Sequence, residues 1–182
     1  MPTTTKTKPR SGKAHADTAT DALALLKADH RAVRKLFEDY EALAKKDGDA
    51  AERQALAARI CTEISIHAQI EEELFYPALR DAIEEQDLLD EAEVEHSTAR
   101  ELIGQIESME PDEDLYDAKV TVLGEYVNHH VEEEEKEIFK LAKKSDLDLE
   151  AIGEELAARR EELAAQLGVD ADEEEDDEEN ER

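Results

Sequence analysis

The sequence predicts an all-α fold: an up-down-up-down four-helix bundle with a short extra C-terminal helix and disordered tails. Three observations predict it. Apolar residues recur with a period near 3.6 through most of the chain. The composition is that of helix rather than sheet, because Ala, Leu, Glu, Lys and Arg abound while 182 residues hold only 6 Gly, 4 Pro and 4% aromatics. The links between periodic segments are short, which places successive helices antiparallel.

Residues 1–17 are rich in Thr, Lys and Pro and read as a disordered basic tail. An organelle-targeting peptide shares that composition, and an unstructured leader is the simpler reading. The bundle is expected over 18–143. Its first stripe is Leu23, Leu26, His30, Val33, Phe37 and Tyr40, closed by a turn at Asp47-Gly48-Asp49. The second is Leu56, Ile60, Ile64, His67, Glu71 and Leu74, with Pro77 expected to kink or break the helix. The third is Leu89, Ala92, His96, Ala99, Ile103 and Ile106, ended by a turn at Pro111, and the fourth is Leu123, Val127, His130, Glu134, Ile138 and Leu141. A further helix within 144–168 carries Leu149, Ile152, Leu156, Leu163 and Leu167. Ser145 with Asp148 resembles a capping box at its start, and Gly168 closes it. Its stripe either packs on the bundle or forms a dimer. Residues 169–182 form an acidic tail expected to stay solvated.

The formal net charge of -29 should repel nucleic acid. No run approaches the roughly 18 apolar residues of a membrane span, and no secretory h-region opens the chain. A single cysteine, Cys61, excludes an internal disulfide and reads as a small core residue. A cytoplasmic protein with no membrane partner is expected.

The chemistry lies in polar residues that occupy core positions. His30, His67, His96 and His130 each replace an apolar residue in phase with a stripe, and so do Glu71 and Glu134. Buried carboxylates need compensation, and a cation at the same depth supplies it. His67 and Glu71 are four apart and share a helical face, and His130 and Glu134 repeat this. In the first hairpin the two histidines fall at similar heights, whereas in the second they are offset by about one turn. The chain also repeats itself. ADHRAVRKLF aligns with VEHSTARELI at an offset of 66, and HAQIEEELFYP with HVEEEEKEIFK at an offset of 63. Two similar hairpins then pack about a pseudo-twofold axis, which suggests a two-sided site for two metals. Free of metal, Glu71 and Glu134 are expected to ionise with difficulty or to draw water into the core.

Histidine on the first helix, His-x3-Glu on the second, histidine on the third and His-x3-Glu on the fourth resemble the hemerythrin-like, or HHE cation-binding, domain family. The segments HAQIEEELFYP and HHVEEEEKEIF look particularly like its signatures, and the resemblance covers roughly residues 20–143. It implies a non-heme di-iron centre (two Fe ions) open to a small ligand such as O2 or NO. It also implies His30, His67, His96 and His130 as terminal ligands and Glu71 and Glu134 as bridges. Oxygen carriers of the family have a further histidine one turn after the third-helix histidine, where this chain has Arg100, which argues against reversible oxygen transport. Glu72, Glu135, His129 or water filling that place is left open. His129 reads as a surface or supporting residue, and Tyr40, Phe37, Phe75, Tyr126 and Phe139 as core.

Ferritin-like di-iron proteins use Glu-x-x-His on two helices, but only Glu93 and His96 have that spacing here. Structural zinc sites usually include cysteine, so Zn ranks with Mn behind Fe. The resulting expectation is a protein that binds or senses dioxygen, nitric oxide or iron itself. The alternative is an enzyme reducing peroxide or nitric oxide or supplying iron for cluster repair. A protein partner is not legible.

Overall fold

The computed structural model describes residues 21–46 and 48–168. The basic leader and the acidic tail expected from the sequence lie outside them.

Five helical rods account for nearly all of the described chain. The first, α1, spans Ala22–Ala44, and Asp21 caps it by accepting a hydrogen bond from the Ala24 amide at 2.9 Å. The second, α2, runs as α-helix over Ala50–Ile70, widens to a π-helical turn over Glu71–Phe75, and resumes as α-helix over Tyr76–Ala82. Asp49 caps it by accepting from the Ala51 and Glu52 amides. Asp87–Glu107 forms α3. Tyr116–Glu133, a second π turn over Glu134–Ile138, and Phe139–Lys144 form α4. Finally, α5 spans Leu149–Leu167.

The helices neighbour one another in a ring, α1 against α2, α2 against α3, α3 against α4 and α4 against α1. This is the arrangement expected of an up-down-up-down bundle. The apolar stripe of α5 packs on the bundle, against α1 and α2. Leu156 and Leu163 are buried there in one cluster with Leu23, Leu26 and Ile70, and full burial of each such side chain stabilises the fold by about 1.5–3 kcal/mol.

Several details differ from the sequence expectation. Leu74 and Leu141 are only half-buried, while Phe75 and Ala142 are fully buried. The reason is the π turn, which adds one residue and passes the stripe to the next position. Pro77 is not the cause of the irregularity, since the related turn at Glu134–Ile138 contains no proline. The N-cap of α5 is Asp148, which accepts from the Ala151 amide, whereas the Ser145 hydroxyl donates backwards to the Ala142 carbonyl, so the two do not form a capping box. Leu167 is exposed at the end of its helix, which Gly168 closes in the left-handed region at φ 71°. The expected one-turn offset in the second hairpin is also absent. The link fills 108–115, α4 starts only at Tyr116, and His96 and His130 meet at the same level.

The core is divided. One apolar cluster contains Leu26, Ile70, Phe75 and Phe139, and a second contains Val33, Ile60, Ile64 and Leu123. On α1, α3 and α4 the histidines and Glu134 lie between these clusters in sequence, and on α2 His67 and Glu71 fall between Ile64 of the second cluster and Phe75 of the first, so a polar layer has hydrocarbon above and below it.

Candidate metal centre

All six side chains expected at the site are buried in that layer, with His67 the most exposed at 8% and Glu71 fully inaccessible. Their atoms form two groups, each drawn within 4.8 Å. His30, His67, Glu71 and Glu134 make the first, and Glu71, His96 and His130 make the second. Glu71 belongs to both. Its Oε1 lies 3.2 Å from His67 Nε2 and its Oε2 lies 3.4 Å from His96 Nε2. Glu134 directs Oε2 to His30 Nε2 at 3.2 Å. Glu71 thus reaches both groups, whereas Glu134 falls in the first group only.

The backbone helps to aim these groups. Glu71 and Glu134 each begin a π turn, and the amides of Tyr76 and Phe139 bond back to the carbonyls of Glu71 and Glu134 respectively. Such turns concentrate at functional sites, and here each one carries a site carboxylate at its start.

Each of the four site histidines has an outer carboxylate. Nδ1 of His30 meets Glu135 at 2.9 Å, His96 meets Glu72 at 2.9 Å, His130 meets Glu95 at 2.7 Å, and His67 meets Asp29 at 3.5 Å. With Nδ1–H donating outward, each Nε2 presents a lone pair inward. Inside, the lone pairs face one another: His30 and His67 at 3.1 Å, and His96 and His130 at 3.1 Å. Glu71 Oε1 and Glu134 Oε2 are buried with no hydrogen-bond donor. Converging nitrogens and oxygens without hydrogens between them need a cation or protons, so the residues present fit a metal site.

In the metal-free protein, protons take part of that role. Burial opposes charge on His67, but Glu71 and Asp29 outweigh it and hold its pKa well above the usual histidine value. Burial likewise opposes charge on His130, and Glu95, Glu134 and Glu71 overcome it. Glu134 follows the sequence expectation, as burial and the neighbouring Glu71 raise its pKa. Glu71 does not. Burial pushes it upward, yet His67, His96 and His130 hold it below the usual carboxylate range.

Three residues near the site were not anticipated. Asp29 and Glu95 each precede a site histidine by one residue, so their position around the helix suggests solvent, yet they serve the histidine of a neighbouring helix. Tyr76 is the third. Its buried hydroxyl donates between Glu134 Oε1 at 3.2 Å and Glu71 Oε2 at 3.4 Å, and its ring stacks on His96. The repeat places Phe139 opposite Tyr76, and Phe139 stacks on His30 in the same way without a hydroxyl. Tyr76→Phe is expected to lower metal-free stability by about 1–3 kcal/mol, because two buried carboxylate oxygens lose their donor. Urea denaturation measures this, and an unchanged midpoint would show that the hydroxyl does not support the carboxylates.

The residues left open by the sequence are now placed. Glu72 and Glu135 bind outer nitrogens. Arg100 donates to Glu72 at 2.7 Å. His129 is 61% exposed and lies 3.6 Å from Glu133. Tyr126 is half-buried, and Phe37, Tyr40, Phe75 and Phe139 are core. Cys61 is buried, which pushes its thiol up to about 12. Among the described residues no helix is long and apolar enough to cross a membrane.

Residues 21–142 match the family described as the hemerythrin HHE cation binding domain. A protein of Nostoc sp. named a DNA nickase is 27% identical over 149 residues, covering 81% of this chain and 41% of that protein. The chain thus spans about two-fifths of that relative's length. The crystal structure of a hemerythrin HHE cation binding domain-containing protein from Mycobacterium kansasii superposes with a TM-score of 0.66 at 26% identity, covering 80% of this chain and 88% of that one.

Proposed function

The chain belongs to the hemerythrin HHE cation binding domain family, and from that premise we propose that its bundle holds two non-heme iron ions and binds or senses a small ligand such as dioxygen or nitric oxide. The observation that carries this reading is the pair of buried ligand groups joined through Glu71. His30, His67, Glu71 and Glu134 would hold one ion, and Glu71, His96 and His130 the other. Imidazole and carboxylate donors favour iron over zinc, and the Cys61 thiol is held protonated in the core, where it offers no thiolate.

When bound, the iron pair supplies a redox-active centre to which a small ligand can attach. The chain's own residues do the rest. Asp29, Glu72, Glu95 and Glu135 fix the imidazole tautomers and ring orientations. Val33, Ile64, Ala99, Ile103 and Val127 wall a cavity of about 30 Å3 beside the imidazoles. That room suits one water or a diatomic molecule. Arg100 turns to Glu72 rather than to the centre, which leaves the set one imidazole short of the oxygen-carrier pattern. This supports sensing or binding over stable transport.

One observation favours the enzyme reading, in which peroxide or nitric oxide is reduced. Tyr76 holds a phenolic proton against both site carboxylates. The net charge of -29 supports no nucleic-acid partner, so the activity in the Nostoc relative's name is not carried over. A cytoplasmic location is proposed on the single, buried cysteine.

Anaerobic ferrous protein should change its absorption spectrum on addition of nitric oxide and of oxygen. No change with either gas or with peroxide would overturn ligand binding. Steady-state turnover of peroxide or nitric oxide, lost in His67→Ala, would move the assignment to the enzyme.

A further inference from the structure

The repeat makes the two halves of the centre nearly equivalent, and one contact breaks that equivalence from outside the four-helix bundle. Arg160 on α5 reaches Asp29 Oδ1 with Nε at 3.0 Å and Glu63 Oε2 with Nη2 at 3.1 Å. The other oxygen of Asp29 is the outer partner of His67. A continuous route therefore runs from α5 through Arg160 and Asp29 to His67 Nδ1, and from the same ring to its inward-facing Nε2. The repeat places Glu95 opposite Asp29. There the exposed His129 faces Glu95 at 3.9 Å.

The shared carboxylate carries a mark of this. Glu72, Glu95 and Glu135 approach their histidines to 2.7–2.9 Å, whereas Asp29 stands 3.5 Å from His67. Asp29 divides its two oxygens between the centre and α5, and it is the longest of the four outer contacts. Arg160 also joins α1 to α2, because Asp29 and Glu63 come from different helices and would repel each other without it. Residues 149–167 lie beyond the part of the chain that matches the family, 21–142.

We propose that α5 is coupled to cation occupancy of the His30–His67 group, with Arg160 as the positioning residue. Docked α5 fixes Asp29 so that His67 is oriented for a cation. A cation on His67 Nε2 polarises the ring, strengthens the Nδ1–H to Asp29 bond, and so holds Asp29 where Arg160 grips it. Linkage requires the effect to be reciprocal: the free energy by which α5 docking favours the cation equals that by which the cation favours docking. Among the described residues Arg160 reaches neither Glu72 nor Glu95, so the His96–His130 group meets the effect only through the shared Glu71.

The proposal rests on the reading that both groups bind cations, and the test separates the two. The full chain is titrated with Co2+, an air-stable stand-in for iron at nitrogen and oxygen ligands, by calorimetry and visible absorption. Wild type is expected to bind two ions. Arg160→Gln should weaken one of them by about tenfold, the low end of the range for loss of an outer partner because Arg160 acts through Asp29, and leave the other within about threefold. Arg160→Lys should recover part of the loss, since an ammonium can meet Asp29 but cannot span both carboxylates in a fork. Hydrogen exchange of the 149–167 amides is the second readout. Co2+ should slow it in wild type and have no effect on it in Arg160→Gln. A purely structural arginine would loosen α5 equally with and without Co2+. If wild type binds two ions while Arg160→Gln binds both as tightly, or if α5 exchange ignores Co2+ in wild type, the coupling is overturned and the metal site stands. If wild type binds no ion, both readings fall.

Discussion

Glu71→Gln will remove stoichiometric cation binding from both halves of the centre, whereas Glu133→Gln will leave it intact. Glu71 alone directs one oxygen into each ligand group, at 3.2 Å from His67 Nε2 and 3.4 Å from His96 Nε2. Replacing that carboxylate by an amide keeps the shape and removes the charge that two cations would share. Loss of an outer partner typically weakens metal binding by about 10–100-fold, so loss of this inner carboxylate should exceed about a hundredfold. Glu133 differs by one position from Glu134 but points its oxygens toward the exposed His129. Equilibrium dialysis followed by metal analysis separates the cases, and equal retention by the two variants would show that the wrong helical face carries the ligands.

The second large effect is a stabilisation by metal that depends on pH. A divalent ion at about a hundred times its dissociation constant should add about 2.7 kcal/mol, or roughly 5–10 °C in Tm for a domain of this size. The metal-free protein behaves differently. His67 and His130 titrate above their ordinary value when folded. They contribute stability that is fully present below the unfolded histidine pKa and is lost as pH rises through the folded values. Glu134, also raised, acts with the same sign at lower pH. Glu71 is lowered, so its contribution is present above the unfolded carboxylate pKa and lost as pH falls through the folded one. Metal-free protein should thus be most stable in mildly acidic solution. Metal needs the same lone pairs unprotonated, so its stabilisation should grow with pH across the histidine range and fade below it. Thermal melts with and without metal across that range test this. A gain in Tm that does not vary with pH would mean that these histidines are not the ligands.

Much of this centre could be read from residue phase alone. An imidazole or carboxylate in place of a stripe residue announces itself against an apolar background, and the repeat at 66 and 63 residues pairs each one with a counterpart. The π turns could not be read, because an extra residue in a helix has no composition signature. The shift from Leu74 to Phe75 and from Leu141 to Ala142 followed from missing them. Asp29 and Glu95 fall outside the apolar stripes and serve a histidine on another helix, which local spacing does not encode. The repeat held a usable signal, since Asp29 aligns with Glu95 and Glu72 with Glu135. The same alignment sets Tyr76 against Phe139 and so marks the one hydroxyl that breaks the symmetry. Arg160 had no such signal, because α5 lies outside the repeat.

The most direct test is elemental analysis of the purified full chain, read together with its absorption spectrum after oxidation. Two iron ions per chain and a near-ultraviolet charge-transfer band, both lost in His67→Ala combined with His130→Ala, are the predicted result. A chain that retains its metal after those substitutions, or that takes up no metal when iron is supplied, would contradict the assignment of these six side chains.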